Sequence, residues 1–275
     1  MLLRKQATVE QLNVQELPTD DEITPQAVMS VAMQAGVILL SSGAETFRVE
    51  NTTMRILSLS GSDEYDANAM GTSLIATLIS PDNGQPFTRV CRVSERSLNL
   101  LRIAEVNQLS RDLAEHKLTF KQAAAKMNQL SKPAYAPWQK NLAILVMISS
   151  FVALLSGRLI DAIGSLPIAV GIILVNILVR YIRIEGFVAN FLSAFMTASV
   201  AVITQRYFIT GAALDALVAG ALMPLLPGTS FTNAIRDVIA GDYISAAARG
   251  LEAILIALAL ALGVGLAIIL FGAYL

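Results

Sequence analysis

Cysteine and histidine are almost missing from this chain of 275 residues, which holds one of each, Cys91 and His116. A single cysteine excludes an internal disulfide and any cysteine-based metal cluster. His116 stands in "RDLAEHKLTF" among charged neighbours and reads as a solvated helix-end residue, because a metal site gathers several ligands. Charge is scarce as well: 15% of residues are charged and the net charge is −1. No basic cluster with interleaved aromatics is present, so no nucleic-acid partner is expected. There is no Walker-type glycine loop, nucleophile elbow, zinc helix or dinucleotide signature. Neither an ATP motor nor an enzyme is indicated, and no cofactor and no metal are expected. The start "MLLRKQATVEQLNVQ" turns polar at once, without the apolar core of a secretory signal.

What is abundant is apolar sequence, at 55% of residues, and its placement is uneven. Fourteen of the twenty Lys and Arg, and fifteen of the twenty-one Asp and Glu, precede Asn141, leaving six of each sign for the last 135 residues. Such asymmetry puts the two parts in different solvents, water first and bilayer second. The expected fold is an α-helical integral membrane protein of five transmembrane helices with a small α+β N-terminal cytoplasmic domain. Its divisions are a flexible tail over 1–23, the cytoplasmic domain over 24–137, and the membrane domain over 138–275.

In the first domain, Thr24 and Pro25 start a helix, threonine as cap and proline at the first helical position. Val28, Val31, Ala32, Ala35, Leu39, Gly43 and Phe47 form one apolar stripe along it. The helix is expected to run on through "SGAETFRVENTTMRILSLSG" to a stop at Gly61. Two strand-like runs flank the turn Pro81-Asp82-Asn83-Gly84 and predict a β-hairpin. Two helices follow, the second opened by a capping box at Thr119 and Gln122. Pro133 and Pro137 make a stiff connector to Trp138 and Lys140, residues suited to a membrane edge.

Five apolar segments then come at about 142–157, 162–179, 186–204, 208–226 and 251–275, each near the roughly 17–25 residues of a spanning helix. Their joints carry Arg158 with Asp161, then Arg180, Arg183 and Glu185, then Arg206. The arginine bias favours the N-terminus inside and the C-terminus outside. A five-span unit paired in tandem with a similar one would be inverted, an arrangement that many secondary transporters use.

The chemistry is expected at "LMPLLPGTSFTNAIRDVIAGD", Leu222 to Asp242. Pro224, Pro227 and Gly228 break an apolar helix, and freed backbone groups at membrane depth require protein or water to receive them. Thr229 or Ser230 is read as the cap of a new helix whose first amides suit a carboxylate. Asn233, Arg236 and Asp237 share one face of it. Arg236 offers a fork to a carboxylate and Asp237 accepts an amine or a proton. The candidate substrate-binding set is therefore Pro227, Gly228, Thr229, Ser230, Asn233, Arg236 and Asp237, on a helix either re-entrant or interfacial, or else merely solvated in a loop. Asp215, just inside the fourth span, and Asp237 are the proton-coupling candidates, Asp215 being alternatively hydrated at the membrane edge. Asn176 and Asn190 are read as bonding neighbouring helices, Gly263 and Gly265 as close-packing positions. Arg249 and Glu252 read as an interfacial i,i+3 pair. In "SSGAETFRVEN", Glu45, Arg48 and Glu50 read as surface ion pairs that alternatively touch the transport path.

The stretches "LLSSGAETFRVENTTMRIL", "RVSERSLNLLRIAEVNQLSRDL" and "LMPLLPGTSFTNAIRDVIAGDYISAAARGLEA", in this order, resemble the threonine/serine exporter family, over nearly the whole chain from Thr24. The resemblance implies export of small metabolites across the bacterial inner membrane. It marks Ser42, Gly43, Glu45, Arg48 and Glu50 as a cytoplasmic motif, along with Pro227 to Asp242, without a chemical role for any of them. Fused members carry a second membrane half, whereas split members have it as a small separate subunit, one such pair being associated with succinate. The present sequence resembles the larger subunit of a split pair. The implied partners are a small-molecule substrate (threonine/serine or a dicarboxylate), membrane lipid and a second small membrane subunit. The reading from another class is a membrane-anchored sensory or scaffold protein.

Overall fold

The structure is a computed structural model that describes residues 24–93, 98–132, 135–182, 184, 186–209 and 211–272. The expected tail over 1–23, Pro133, Arg183 and Glu185 lie outside the described residues. The chain divides into two compact units. The first takes the described residues up to 134 together with Phe231–Arg249, and the second takes Tyr135–Ser230 and Gly250–Leu275. The sequence places Phe231–Arg249 after the boundary near 137, whereas by contacts this segment groups with the first unit, which is discontinuous.

In the first unit, α1 (Pro25–Ser41) begins as the sequence predicts, with the Ala27 backbone N–H donating to Thr24 Oγ1 at 3.2 Å and Pro25 in the first turn. Apart from Gln26 and Ser30 its residues are buried, so it is the centre of the unit and not a one-sided stripe. It packs against α2 (Thr46–Leu57), α3 (Leu100–Ala114), α4 (Phe120–Ser131) and the sheet. The expected continuous helix breaks at residues 42–45. Ser42 and Gly43 close the last turn onto the carbonyls of Ile38, Leu39 and Leu40, and Gly43 turns the chain at φ +77°. Phe47, placed by the sequence on the buried stripe, is consequently exposed on α2. Gly61 (φ +75°) does end the 3-10 turn that follows α2.

The predicted hairpin is present as β2 (Ser73–Ile79) and β3 (Pro86–Arg92), joined across Pro81–Gly84. A third strand, β1 (Tyr65–Met70), pairs antiparallel with β2 to give the order β1-β2-β3. Ala67, Ala69, Leu74, Ala76, Leu78 and Cys91 cover the buried face. The capping box of α4 is formed by reciprocal 3.2 Å bonds between Thr119 and Gln122. His116 is exposed past the end of α3, as expected.

The second unit is built from α5 (Pro137–Ser156), α6 (Leu159–Gly164), α7 (Leu166–Ile182), α8 (Phe187–Tyr207), α9 (Leu214–Leu222) and most of α11 (Tyr243–Gly272). By length and composition, four helices among the described residues are able to cross a bilayer: Pro137–Ser156, Leu159–Val179, Phe187–Tyr207 and Tyr243–Phe271. A fifth is counted only if Leu214–Leu225 and α10 (Gly228–Ile239), which meet at a 55° bend, make one broken span. Small residues bring the helices together. A Cβ on Gly263 would stand 2.5 Å from the Phe191 carbonyl oxygen, and one on Gly220 would stand 2.8 Å from the Val152 nitrogen. A Cβ on Gly265 would meet nothing within 4 Å among the described residues, so no close approach there requires a glycine. Asn190 bonds back to the Gly186 carbonyl at 3.2 Å, at the start of its own helix, instead of to a neighbouring one.

Candidate functional site

The loop Ser42–Glu45, between α1 and α2, is where the late segment Phe231–Arg249 attaches, inside the first unit. Asn233 Nδ2 donates to the Gly43 carbonyl at 3.0 Å. Arg236 is ion-paired with Glu45, whose carboxylate also meets Arg48 at 3.7 Å. Asp237 Oδ2 lies 3.1 Å from Arg249 Nε, an ion contact without the alignment of a hydrogen bond at that oxygen. Asp237 further accepts a bond from the Thr46 backbone N–H. Arg249 Nη2 donates to the Ala44 carbonyl at 3.0 Å and reaches Thr46 Oγ1 at 3.5 Å.

The two ion pairs differ in kind. The side chains of Arg236 and Glu45 are 57% and 22% exposed, so water screens them and their attraction adds little to stability. Those of Arg249 and Asp237 are 5% and 2% exposed, so removing either partner strands a buried charge. Burial pushes the Asp237 carboxyl up from the usual aspartate range, opposed by Arg249 and the Thr46 amide and reinforced by Asp242 and Glu45. Glu50 lies one turn along α2, where its Oε1 accepts the Ala69 backbone N–H at 2.9 Å. Burial raises the Glu50 carboxyl too; the Ala69 bond opposes this, and Asp242, Asp66 and Asp237 add to it.

Local geometry explains the convergence. Helix α10 ends at Gly241 (φ +84°), and the Asp242 carboxylate caps α11 by accepting the Ser245 N–H at 3.1 Å. That tight turn places Asp237, near the end of α10, against Arg249, two turns into α11. A carboxylate at a helix N-terminus was anticipated at the start of α10. The structure has one at the start of α2, where the carboxylate is the chain's own Asp237.

Of the residues expected to bind substrate, Asn233, Arg236 and Asp237 are brought to the motif residues Gly43 and Glu45. Pro227 lies in the break, after an extended Leu226. Helix α10 starts at Gly228, so Thr229 and Ser230 sit within its first turn and not ahead of it as caps. Asp215 is exposed in the first turn of α9, in the second unit. Ser42 is fully buried, with its carbonyl accepting the Asn99 N–H at 3.1 Å. Glu45 precedes α2 instead of sitting within it, and it pairs with a partner far along the chain, beyond the local pairing expected.

Arg249 was read as an interfacial residue and proves buried at 4% exposure. Ala44 and Thr46 were not singled out at all. The available signal for Arg249 was the chain pattern Asp237, Gly241, Asp242, Arg249: a helical hairpin whose charges face each other across the turn.

The sequence profile of a family described as "Putative threonine/serine exporter" matches residues 30–271. The chain belongs to the threonine/serine exporter family. It is accordingly a multi-pass membrane transport protein. Similar proteins include the "Probable succinate transporter subunit YjjP" of Klebsiella aerogenes, 23% identical over 253 residues that cover 92% of this chain and 97% of the relative. The protein of that name from Escherichia coli strain K12 is 23% identical over 248 residues, 90% of this chain and 96% of the relative. No solved structure matches this exporter-family chain. The matched span contains both the Ser42–Glu50 motif and the α10–α11 segment that grips it.

Proposed function

We propose that this chain is a subunit of a gradient-driven exporter for small carboxylate-bearing metabolites, working with a second small membrane subunit in a bacterial inner membrane. In this reading the N-terminal unit is cytoplasmic and the C-terminus outside. Among carboxylates, a dicarboxylate of the succinate kind is favoured by the two relatives that share almost the full length of the chain. Threonine and serine are favoured by the family's description.

The observation that carries the site is the contrast between Arg236 and Asp237. Arg236 keeps an exposed guanidinium and holds Glu45 by a screened, weak contact, so a substrate carboxylate competes with Glu45 for its fork. Asp237 is enclosed by Thr46 and Arg249 and keeps the loop in place, so it acts as a positioning group. Pro227, Gly228, Thr229 and Ser230 supply the break that leads into this helix, and Asn233 steadies Gly43 beneath it.

The test is efflux of succinate, threonine and serine from cells expressing the chain with and without the small membrane subunit. Arg236→Ala is expected to abolish efflux of the true substrate while the protein remains folded and in the membrane. Efflux by Arg236→Ala at the level of the unaltered chain removes Arg236 from the site. Equal efflux with no chain at all removes the exporter reading.

A further inference from the structure

Helix α10 has two unlike sides. Asn233, Arg236 and Asp237 are taken up by the loop from Gly43 to Thr46, and Ala234 is buried beside them. By helical spacing, Phe231, Ile235, Val238 and Ile239 fall together on another face, within one arc of about 100°. These four are between 48% and 80% exposed, and Tyr243 and Ile244, just past the Gly241–Asp242 turn, are exposed as well. A continuous apolar stripe of this kind marks a surface that something covers.

Chain connection says what covers it. Leu226 and Pro227 alone separate α10 from the apolar stretch that ends at Leu225, and Ala240, Gly241 and Asp242 alone separate it from α11. A residue reaches at most about 3.5 Å, so both ends of α10 stay near segments made for lipid. Helix α11 is 30 residues long. A hydrocarbon core takes roughly 20, which leaves an overhang of about ten. Tyr243–Arg249, the part of α11 that groups with the first unit, accounts for most of that overhang. The exposed apolar row of the last span recurs at helical spacing through Leu262, Leu258, Leu255 and Leu251 and runs on to Ile244, without a break where the helix enters the first unit. The ring of Tyr243, apolar with a polar tip, suits the headgroup layer.

The other face argues against full immersion. Arg236 and Asp237, with their partners Glu45 and Arg249, are charged groups that a hydrocarbon core admits only at high cost. Charge does not recruit the occupant either, because Arg236 is the sole cation of α10 and Glu45 holds it. A helix with one face bonded to a polar loop and one face bare and apolar belongs at a boundary between water and lipid.

We propose that α10 lies flat in the membrane surface, with Phe231, Ile235, Val238 and Ile239 sunk among the acyl chains next to the headgroups. The occupant of the stripe is lipid. The loop from Gly43 to Thr46, bonded to the upper face of α10, is thereby held at headgroup level. The inference stands on the membrane setting of the chain and not on the exporter reading.

The test uses the full chain in phosphatidylcholine vesicles, with a nitroxide on one introduced cysteine at a time. The variants are Phe231→Cys, Ile235→Cys, Ile239→Cys and, off the stripe, Ala240→Cys. All four side chains are exposed, so the labels displace no packing. Cys91 is buried, and the unaltered chain serves as the labelling blank. Relaxation by oxygen, which gathers in lipid, and by a water-soluble nickel chelate gives the depth of each label. The three stripe labels are expected at a common depth of roughly 5–10 Å below the headgroup boundary, and the label at Ala240 in water. Nickel access at the stripe equal to that at Ala240 would mean a solvated face and overturns the proposal. Exclusion of both reagents from the stripe would mean that a second copy covers it, and overturns it equally. A depth that increases steadily from Ile239 to Phe231 would make α10 a re-entrant segment, which also refutes a flat helix.

Discussion

The two units use opposite recipes for holding helices together. In the first, large side chains fill the middle: Met29, Met33, Leu39, Leu40, Ile56 and Leu74 are fully enclosed around α1. In the second, half of the enclosed cluster is alanine, at Ala169, Ala198, Ala201, Ala212, Ala221 and Ala267, beside Ile148, Val152, Ile168, Ile172, Leu217 and Val218. There, Leu154, Leu174, Ile177, Ile254 and Ile269 point outward. Water drives big apolar groups inside. Lipid tails are as apolar as leucine, so only close backbone approach and hydrogen bonding favour contact between helices. Hydroxyls follow the same logic: Thr197 and Ser199 bond the carbonyls of Ser193 and Phe195, both at 2.7 Å, within their own helix.

The sharpest way to break this contrast is at the buried charge, which belongs to the first unit. Arg249→Ala should destabilise the first unit by about 3–5 kcal/mol by stranding Asp237. Hydrogen exchange in α1 and α2 should rise while exchange in α5 and α7 stays near its original rate. The double change Asp237→Leu with Arg249→Leu should recover part of the loss, and a double change as damaging as the single one would mean that the pair is not the cause.

A gentler comparison uses one glycine from each unit. Gly263→Ala drives a methyl against the backbone of Phe191 and Phe195, which has nowhere to go, so a loss of about 1–3 kcal/mol is expected. Gly36→Ala meets only the side chains of Leu74 and Thr53, which can turn aside, so the loss should be smaller. Thermal melts of the two variants in the same detergent rank them, and the reverse order would refute the packing argument.

Smaller again is the exposed pair. Arg236→Ala should cost no more than about 1 kcal/mol in a denaturant titration, because its contact with Glu45 is screened.

Least of all is Glu50. Its carboxyl is raised in the folded chain, so the fold binds this proton more tightly than the unfolded chain does. The group's contribution is therefore most favourable below the ordinary glutamate range and is lost as pH climbs through the raised value. Glu50→Gln, which keeps an acceptor for Ala69, should add up to about 0.5 kcal/mol at neutral pH. The gain should vanish in acid. A gain that grows in acid would reverse the sign of the argument.

What could be read in the sequence was whatever depends on neighbours along the chain. The Thr24 cap, the Thr119–Gln122 box and the Pro81–Gly84 turn each rest on residues within four positions. Strand β1 escaped because "YDANAM" pairs polar outward residues with alanines, a weak alternation that gains its meaning only from β2 alongside. The break after α1 escaped because small and apolar residues continue through it, and its cause is a positive φ at Gly43. The partner of Glu45 escaped for the plainest reason, since Arg236 lies 191 residues away.

That separation bears on how the protein is made. The first unit has α1 to α4 and its sheet before residue 133, yet the segment that seals its loop leaves the ribosome only after four apolar stretches have been made. During all that synthesis the N-terminus of α2 stays uncovered. The unit is closed from behind, by the last polar piece before the final span.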